Sequence, residues 1–152
     1  MTWPAATLDP VRRLRVLADV LPGVAIGERV LDAPFDRVWD FIEDLETSVP
    51  EFDRWVATLR VRSRDGEHLV ITARHLLAPR PTRFDVVLRR GWCWMQSPVY
   101  LVGMAAAPEG SGTRFAHLEG VPFGGTRLLR PVFRRIVAGD LNGIRRSLDR
   151  RR

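Results

Sequence analysis

The chain has no lysine, and among its 152 residues there is one cysteine, Cys93, and one tyrosine, Tyr100. A single cysteine excludes an internal disulfide framework and leaves no CxxC pair for redox or metal chemistry. It fits a reducing compartment, and a cytoplasmic protein is expected. No apolar run approaches the roughly 18–20 residues that cross a bilayer. The opening stretch, MTWPAATLDPVRRLRV, lacks the charged, apolar and small-residue zones of a signal peptide, so none is expected. Internal repeats and low-complexity segments are also missing. The three histidines, His68, His75 and His117, show no metal-ligand spacing, and no serine sits in a G-x-S-x-G elbow. GSGTR at 110–114 falls short of a dinucleotide fingerprint and reads as a hairpin turn. No metal and no cofactor are expected.

What is present suits one soluble domain. Apolar residues make up 45% and charged residues 28%, the balance of a chain with one core. All 24 basic residues are arginine, which points to codon bias more than to a binding requirement, and the net charge is +6. The excess is concentrated: residues 127–152 hold nine arginines against Asp140 and Asp149. Such a segment reads first as the solvated face of a helix, and second as a surface for an acidic partner. Nucleic acid is not an expected partner.

Periodicity orders the elements. Asp9 and Pro10 carry N-cap and first-turn signals, and Val11, Leu14, Ala18 and Leu21 follow one helical face over 10–21. Val24 to Leu31 is a strand, broken by Ala33-Pro34. Phe35, Val38, Ile42 and Leu45 form the stripe of a second helix. Val49, Phe52 and Trp55 repeat the spacing in a short third helix. Strands follow at 56–64, 67–77 and 83–90, the first two joined by Asp65-Gly66. Trp92 to Ser97 begins another strand beyond a glycine kink, and 99–107 continues it across Pro98. Residues 113–121 close the sheet. A long helix spans about 127–150, with Pro131 near its start. Hairpins imply an antiparallel sheet, and the apolar stripe of the long helix needs that sheet as its partner. The fold class is α+β.

ERVLDAPFDRVWDFIEDLE at 28–46, VPEFDRWVATLRV at 49–61, PEGSGTRFAHLEG at 108–120 and the terminal helix resemble the SRPBCC superfamily. That superfamily joins START-related, Bet v 1-like and polyketide cyclase/dehydrase-like domains. The resemblance covers about 24–150. It implies a helix-grip fold, a curved antiparallel sheet wrapped around the long helix, with a cavity for a hydrophobic molecule between them. Residues 1–23 are a helical extension to the domain at 24–152. Two roles stay open for that extension: covering the sheet or joining a homodimer.

Strand alternation nominates the cavity wall. Phe115, His117 and Glu119 share one face of the last strand, and Arg114 on the other face marks theirs as inward. His75 shares a face with Leu69, Ile71 and Ala73. Buried without partners, each such polar group costs about 1–3 kcal/mol, so each is paired or borders a wet cavity. His117 and Glu119 are the candidate acid–base groups, and Tyr100 is a candidate for orienting a ligand's polar end. Trp92 and Trp94 are cavity walls if Gly91 adds no bulge; with a bulge, Cys93 and Met95 turn inward instead. The expected function is binding of a lipid, polyketide or aromatic metabolite. A cyclase/dehydrase-type enzyme is the alternative, and it needs two ionisable groups within hydrogen-bond reach in one pocket. A non-catalytic interaction module is the third reading, and it needs a cavity filled by side chains.

Overall fold

Asp9 caps the first helix as its position predicts. In the computed structural model, which describes residues 7–152, its side chain accepts the Arg12 N–H at 3.1 Å. Pro10 opens helix α1 (Pro10–Val20), and Val11, Leu14 and Ala18 are its buried face. The first six residues of the expected extension lie outside the described residues. Strand β1 (Val24–Leu31) follows, then helices α2 (Phe35–Glu43) and α3 (Leu45–Phe52). Strands β2 (Val56–Asp65), β3 (His68–His75), β4 (Thr82–Arg89), β5 (Trp92–Gln96), β6 (Leu101–Glu109) and β7 (Gly112–Gly120) form the rest of the sheet. A 3₁₀ turn (Thr126–Leu129) leads into the long helix α4 (Arg130–Arg150), with Pro131 in its first turn, where proline is tolerated.

All seven strands belong to one antiparallel, curved sheet in the order β1-β7-β6-β5-β4-β3-β2. The main core lies between its concave face and α2, α3 and α4, and includes Trp39, Ile42, Phe84, Phe115, Val137 and Ile144. Each such side chain contributes about 1.5–3 kcal/mol by leaving water. A second cluster lies on the convex face, where Val11, Leu14 and Ala18 of α1 pack on Leu101, Ala105, Ala116 and Leu118. The extension therefore covers the sheet of its own chain. Gly143 lets α4 press against the end of α3: a Cβ there would stand 2.6 Å from the Phe52 carbonyl oxygen. That contact brings the α3–β2 connection up to the long helix. Gly139 has open space beside it and no such role.

One expectation about the sheet is corrected. Residues 92–107 are not one strand bent at Gly91 and Pro98. Two hairpins stand there. Arg90 and Gly91 make a two-residue turn, with Arg89 paired to Trp92, and Gly91 takes a left-handed φ of +80°, a conformation that favours glycine. Ser97 to Tyr100 makes the next turn, closed by the Ser97 N–H donating to the Tyr100 carbonyl at 2.9 Å. A two-residue reversal exchanges odd for even among residues that share a face. Leu88 therefore stands beside Cys93, and Val86 beside Met95. Cys93 and Met95 enter the main core. Trp92 and Trp94 stand on the convex face with α1, their rings stacked at 6.3 Å.

The basic end of the chain is partly neutralised internally. Arg150 and Arg151 both reach Glu51, and Arg152 reaches Asp32. No helix among the described residues is long and apolar enough to cross a membrane.

Candidate functional site

A pocket of about 470 Å³ opens between the sheet, α3 and α4. Its wall is mainly carbon: Phe52, Val56, Leu59, Ile71, Phe84 and Met104, with Ile136 from α4. Leu77 and Val99 border it while remaining 82% and 58% exposed, which marks the mouth. Asp53, His75, Thr82, Tyr100 and Glu119 add polar atoms.

The deepest polar group belongs to a network behind that wall. Alternation along β7 turns His117 and Glu119 inward together, and both are buried. Tyr100, at the end of the β5–β6 turn, donates its hydroxyl to Glu119 Oε2 at 2.6 Å. His117 Nε2 lies 3.1 Å from Glu119 Oε1 and 3.2 Å from Asp140 Oδ2, the latter carried by α4. His117 Nδ1 lies 3.2 Å from the Gly103 carbonyl oxygen on β6. Nδ1 faces a carbonyl that can only accept, so it carries a proton, and the two carboxyl groups at Nε2 favour a second proton there.

The charges follow from that geometry. Burial pulls His117 downward, but the bonds to Asp140 and Glu119 outweigh it and push its pKa up to about 10. Burial raises Asp140 to about 7, helped by the charges of Glu119 and Asp53 and opposed by the bond from His117. Burial also raises Glu119, yet the bonds from His117 and Tyr100 prevail and hold it below the usual carboxylate range. Asp53 is raised by burial and then by the Glu119 charge. Burial and the Glu119 charge drive the Tyr100 hydroxyl far above its ordinary range, so it remains a donor.

His117, Glu119 and Asp140 each offer a ligand atom, all within 4.8 Å of one another. As arranged, the trio is an ion-pair network, with the His117 ring fixed by its Nδ1 contact to the Gly103 carbonyl. Cys93 is buried, and burial pushes its thiol up to about 12, which suits a small apolar core residue.

The nominated residues thus fall into three places. His75, Tyr100 and Glu119 border the pocket. His117 lies directly behind Glu119 and touches the pocket only through it. Phe115 faces inward but is sealed in the core, away from the pocket wall. Trp92 and Trp94 lie on the opposite face of the sheet and are not cavity walls. Two functional candidates escaped the reading of the sequence, Asp140 and Asp53. Asp140 had a signal: it sits three residues after Val137 and four before Ile144, inside the buried stripe of α4. Asp53 follows the last residue of α3 and carries no periodic signal.

No family model matches the chain, and no curated protein matches it. Solved structures do. The chain is similar to the KanY protein at 16% identity, over 83% of this chain and 97% of that one, with a TM-score of 0.65. It is similar to the ZhuI aromatase/cyclase of a Streptomyces species at 14% identity, over 84% and 94%, with a TM-score of 0.64. It is similar to a STAR-related lipid transfer protein of Xanthomonas axonopodis at 14% identity, over 83% and 85%, with a TM-score of 0.63. At such identities the likeness is one of fold. A seven-stranded antiparallel sheet curved around a long C-terminal helix, shared with these proteins, is the helix-grip fold of START-related and Bet v 1-like domains.

Proposed function

We propose that the protein binds a small hydrophobic or amphipathic molecule in the pocket between the sheet and α4. The observation that carries this reading is the pocket itself: about 470 Å³ with a wall mainly of carbon and a few polar groups. Burial of the ligand would supply the affinity, at about 25 cal/mol per Å² of apolar surface removed from water. Lipids and aromatic metabolites are the classes in view. The names of two similar structures, a lipid transfer protein and an aromatase/cyclase, support that range. An unfilled pocket counts against a purely structural interaction module. A reducing, cytoplasmic setting is part of the proposal, supported by the lone, buried Cys93. Native mass spectrometry of the purified protein, followed by solvent extraction, tests it. A small molecule carried through purification is expected; an empty protein that takes up none of a panel of lipids and aromatics contradicts it.

A second reading has its own observation. Tyr100 and Glu119 both border the pocket and stand 2.6 Å apart, two ionisable groups in one site. Here Glu119 would take a proton from the ligand and Tyr100 would donate a hydrogen bond to a ligand oxygen. His117 and Asp140, out of ligand reach, would set the charge on Glu119. Incubating the extracted molecule with the protein and with Tyr100→Phe tests it: a product made only by the unaltered protein is expected.

A further inference from the structure

The chain has 24 arginines and no lysine, yet among the described residues no arginine borders the pocket. Its ionisable lining is instead Asp53, Glu119, Tyr100 and His75. Asp140 stands just behind, on His117. Glu119 and Asp140 therefore share the one buried His117, and both Glu119 oxygens are already engaged, one by His117 and one by Tyr100. Asp53 differs. Its Oδ1 accepts the Trp55 N–H at 2.8 Å, and its Oδ2 takes no donor from the described residues. Asp53 is 9% exposed and lines the pocket. Phe52, Trp55 and Phe84 bring aromatic side chains to the same lining.

We propose that the pocket selects a ligand whose polar end is a hydrogen-bond donor, above all a protonated amine, and disfavours carboxylates. A carboxylate entering here would meet Asp53 and Glu119 with no arginine on the described lining to receive it, a poorly paired charge in an apolar site. An ammonium group would find the free Asp53 oxygen and aromatic rings, both of which favour a cation. A hydroxyl would find the same acceptor without the charge. The inference rests on the pocket being a ligand site.

Three probes that differ only in their ends test it: decylamine, decanol and decanoate, titrated calorimetrically at neutral pH below their aggregation range. Decylamine should bind at least about tenfold more tightly than decanoate, a gap of about 1.4 kcal/mol, with decanol between them. Surface attraction cannot imitate this order, because a net charge of +6 draws decanoate to the protein and repels decylamine. Asp53→Asn, which retains an acceptor for the Trp55 N–H, should shrink the gap to within about threefold, with circular dichroism showing the fold intact. Equal or tighter binding of decanoate overturns the proposal and leaves the ligand-binding reading standing. A gap that Asp53→Asn leaves unchanged overturns the role of Asp53. Failure of all three probes to bind removes both readings together.

Discussion

His117 on β7 and Asp140 on α4 are joined by a 3.2 Å hydrogen bond that ties the long helix to the last strand of the sheet. The same imidazole nitrogen reaches Glu119, so one buried histidine holds two carboxyl groups. Replacing His117 by alanine leaves those carboxylates facing each other without a counter-charge. The expected cost is about 3–5 kcal/mol, read from urea unfolding at neutral pH. A loss below about 1 kcal/mol, the range of an exposed pair, would show that the network does not hold the helix.

The network also sets how stability depends on pH. His117 is raised from 6.5 to about 10, so its contribution is complete below 6.5 and is lost as pH climbs through 10. Asp140, raised from 3.8 to about 7, acts in the same direction: ionising it costs more in the folded protein than in the unfolded chain. Glu119 acts oppositely, because its lowered pKa gives stability that is lost on acidification below 4.5. Stability should therefore peak in mildly acidic solution and decline toward alkaline pH. Thermal unfolding followed by circular dichroism checks this, and His117→Ala should flatten the alkaline decline. A profile that rises toward alkaline pH contradicts the assignment.

Leu14 of α1 is fully buried against the convex face. Leu14→Ala should destabilise the protein by about 2–5 kcal/mol, the range for a leucine removed from a packed core. Ligand affinity should not change, because the pocket lies across the sheet. Unfolding curves and ligand titrations on the same variant separate the two effects. A parallel loss of affinity would mean that α1 shapes the pocket through the sheet.

Ala73 borders the pocket and is buried. A phenylalanine there would extend into open space where a ligand is proposed to lie. Ala73→Phe should weaken ligand binding by about tenfold or more, a loss of about 1.4 kcal/mol, while the thermal midpoint holds or rises. Unchanged affinity would place the ligand elsewhere.

Much of the architecture was legible because burial writes a period into the chain. The stripes of α1, α2 and α4 and the inward face of β7 follow from spacing alone, and Asp9, Pro10 and Pro131 mark helix starts by chemistry that is local. The tryptophans were harder. A strand read straight through Gly91 keeps Trp92 and Trp94 on the side of Phe84 and Val86. A two-residue reversal at Arg90-Gly91 turns them to the other side, and nothing in the alternation distinguishes a kink from a turn. Asp140 was obscured by its neighbours, since a carboxylate within an arginine-rich helix passes for part of the solvated face. Its place between Val137 and Ile144 was the stronger signal. Asp53 comes to the pocket through the close approach of α3 to Gly143, a tertiary contact that local sequence does not encode.

The central claim is that a ligand lies between the sheet and α4. Amide chemical-shift mapping tests it most directly, using isotopically labelled protein and the molecule that co-purifies with it, or decanol if none does. The account predicts shifts at Ile71, Ala73, Met104, Glu119 and Ile136, which border the pocket, and none at Leu14 or Ala105 on the convex face. Shifts confined to the convex face, or no shifts at saturating ligand, would contradict it.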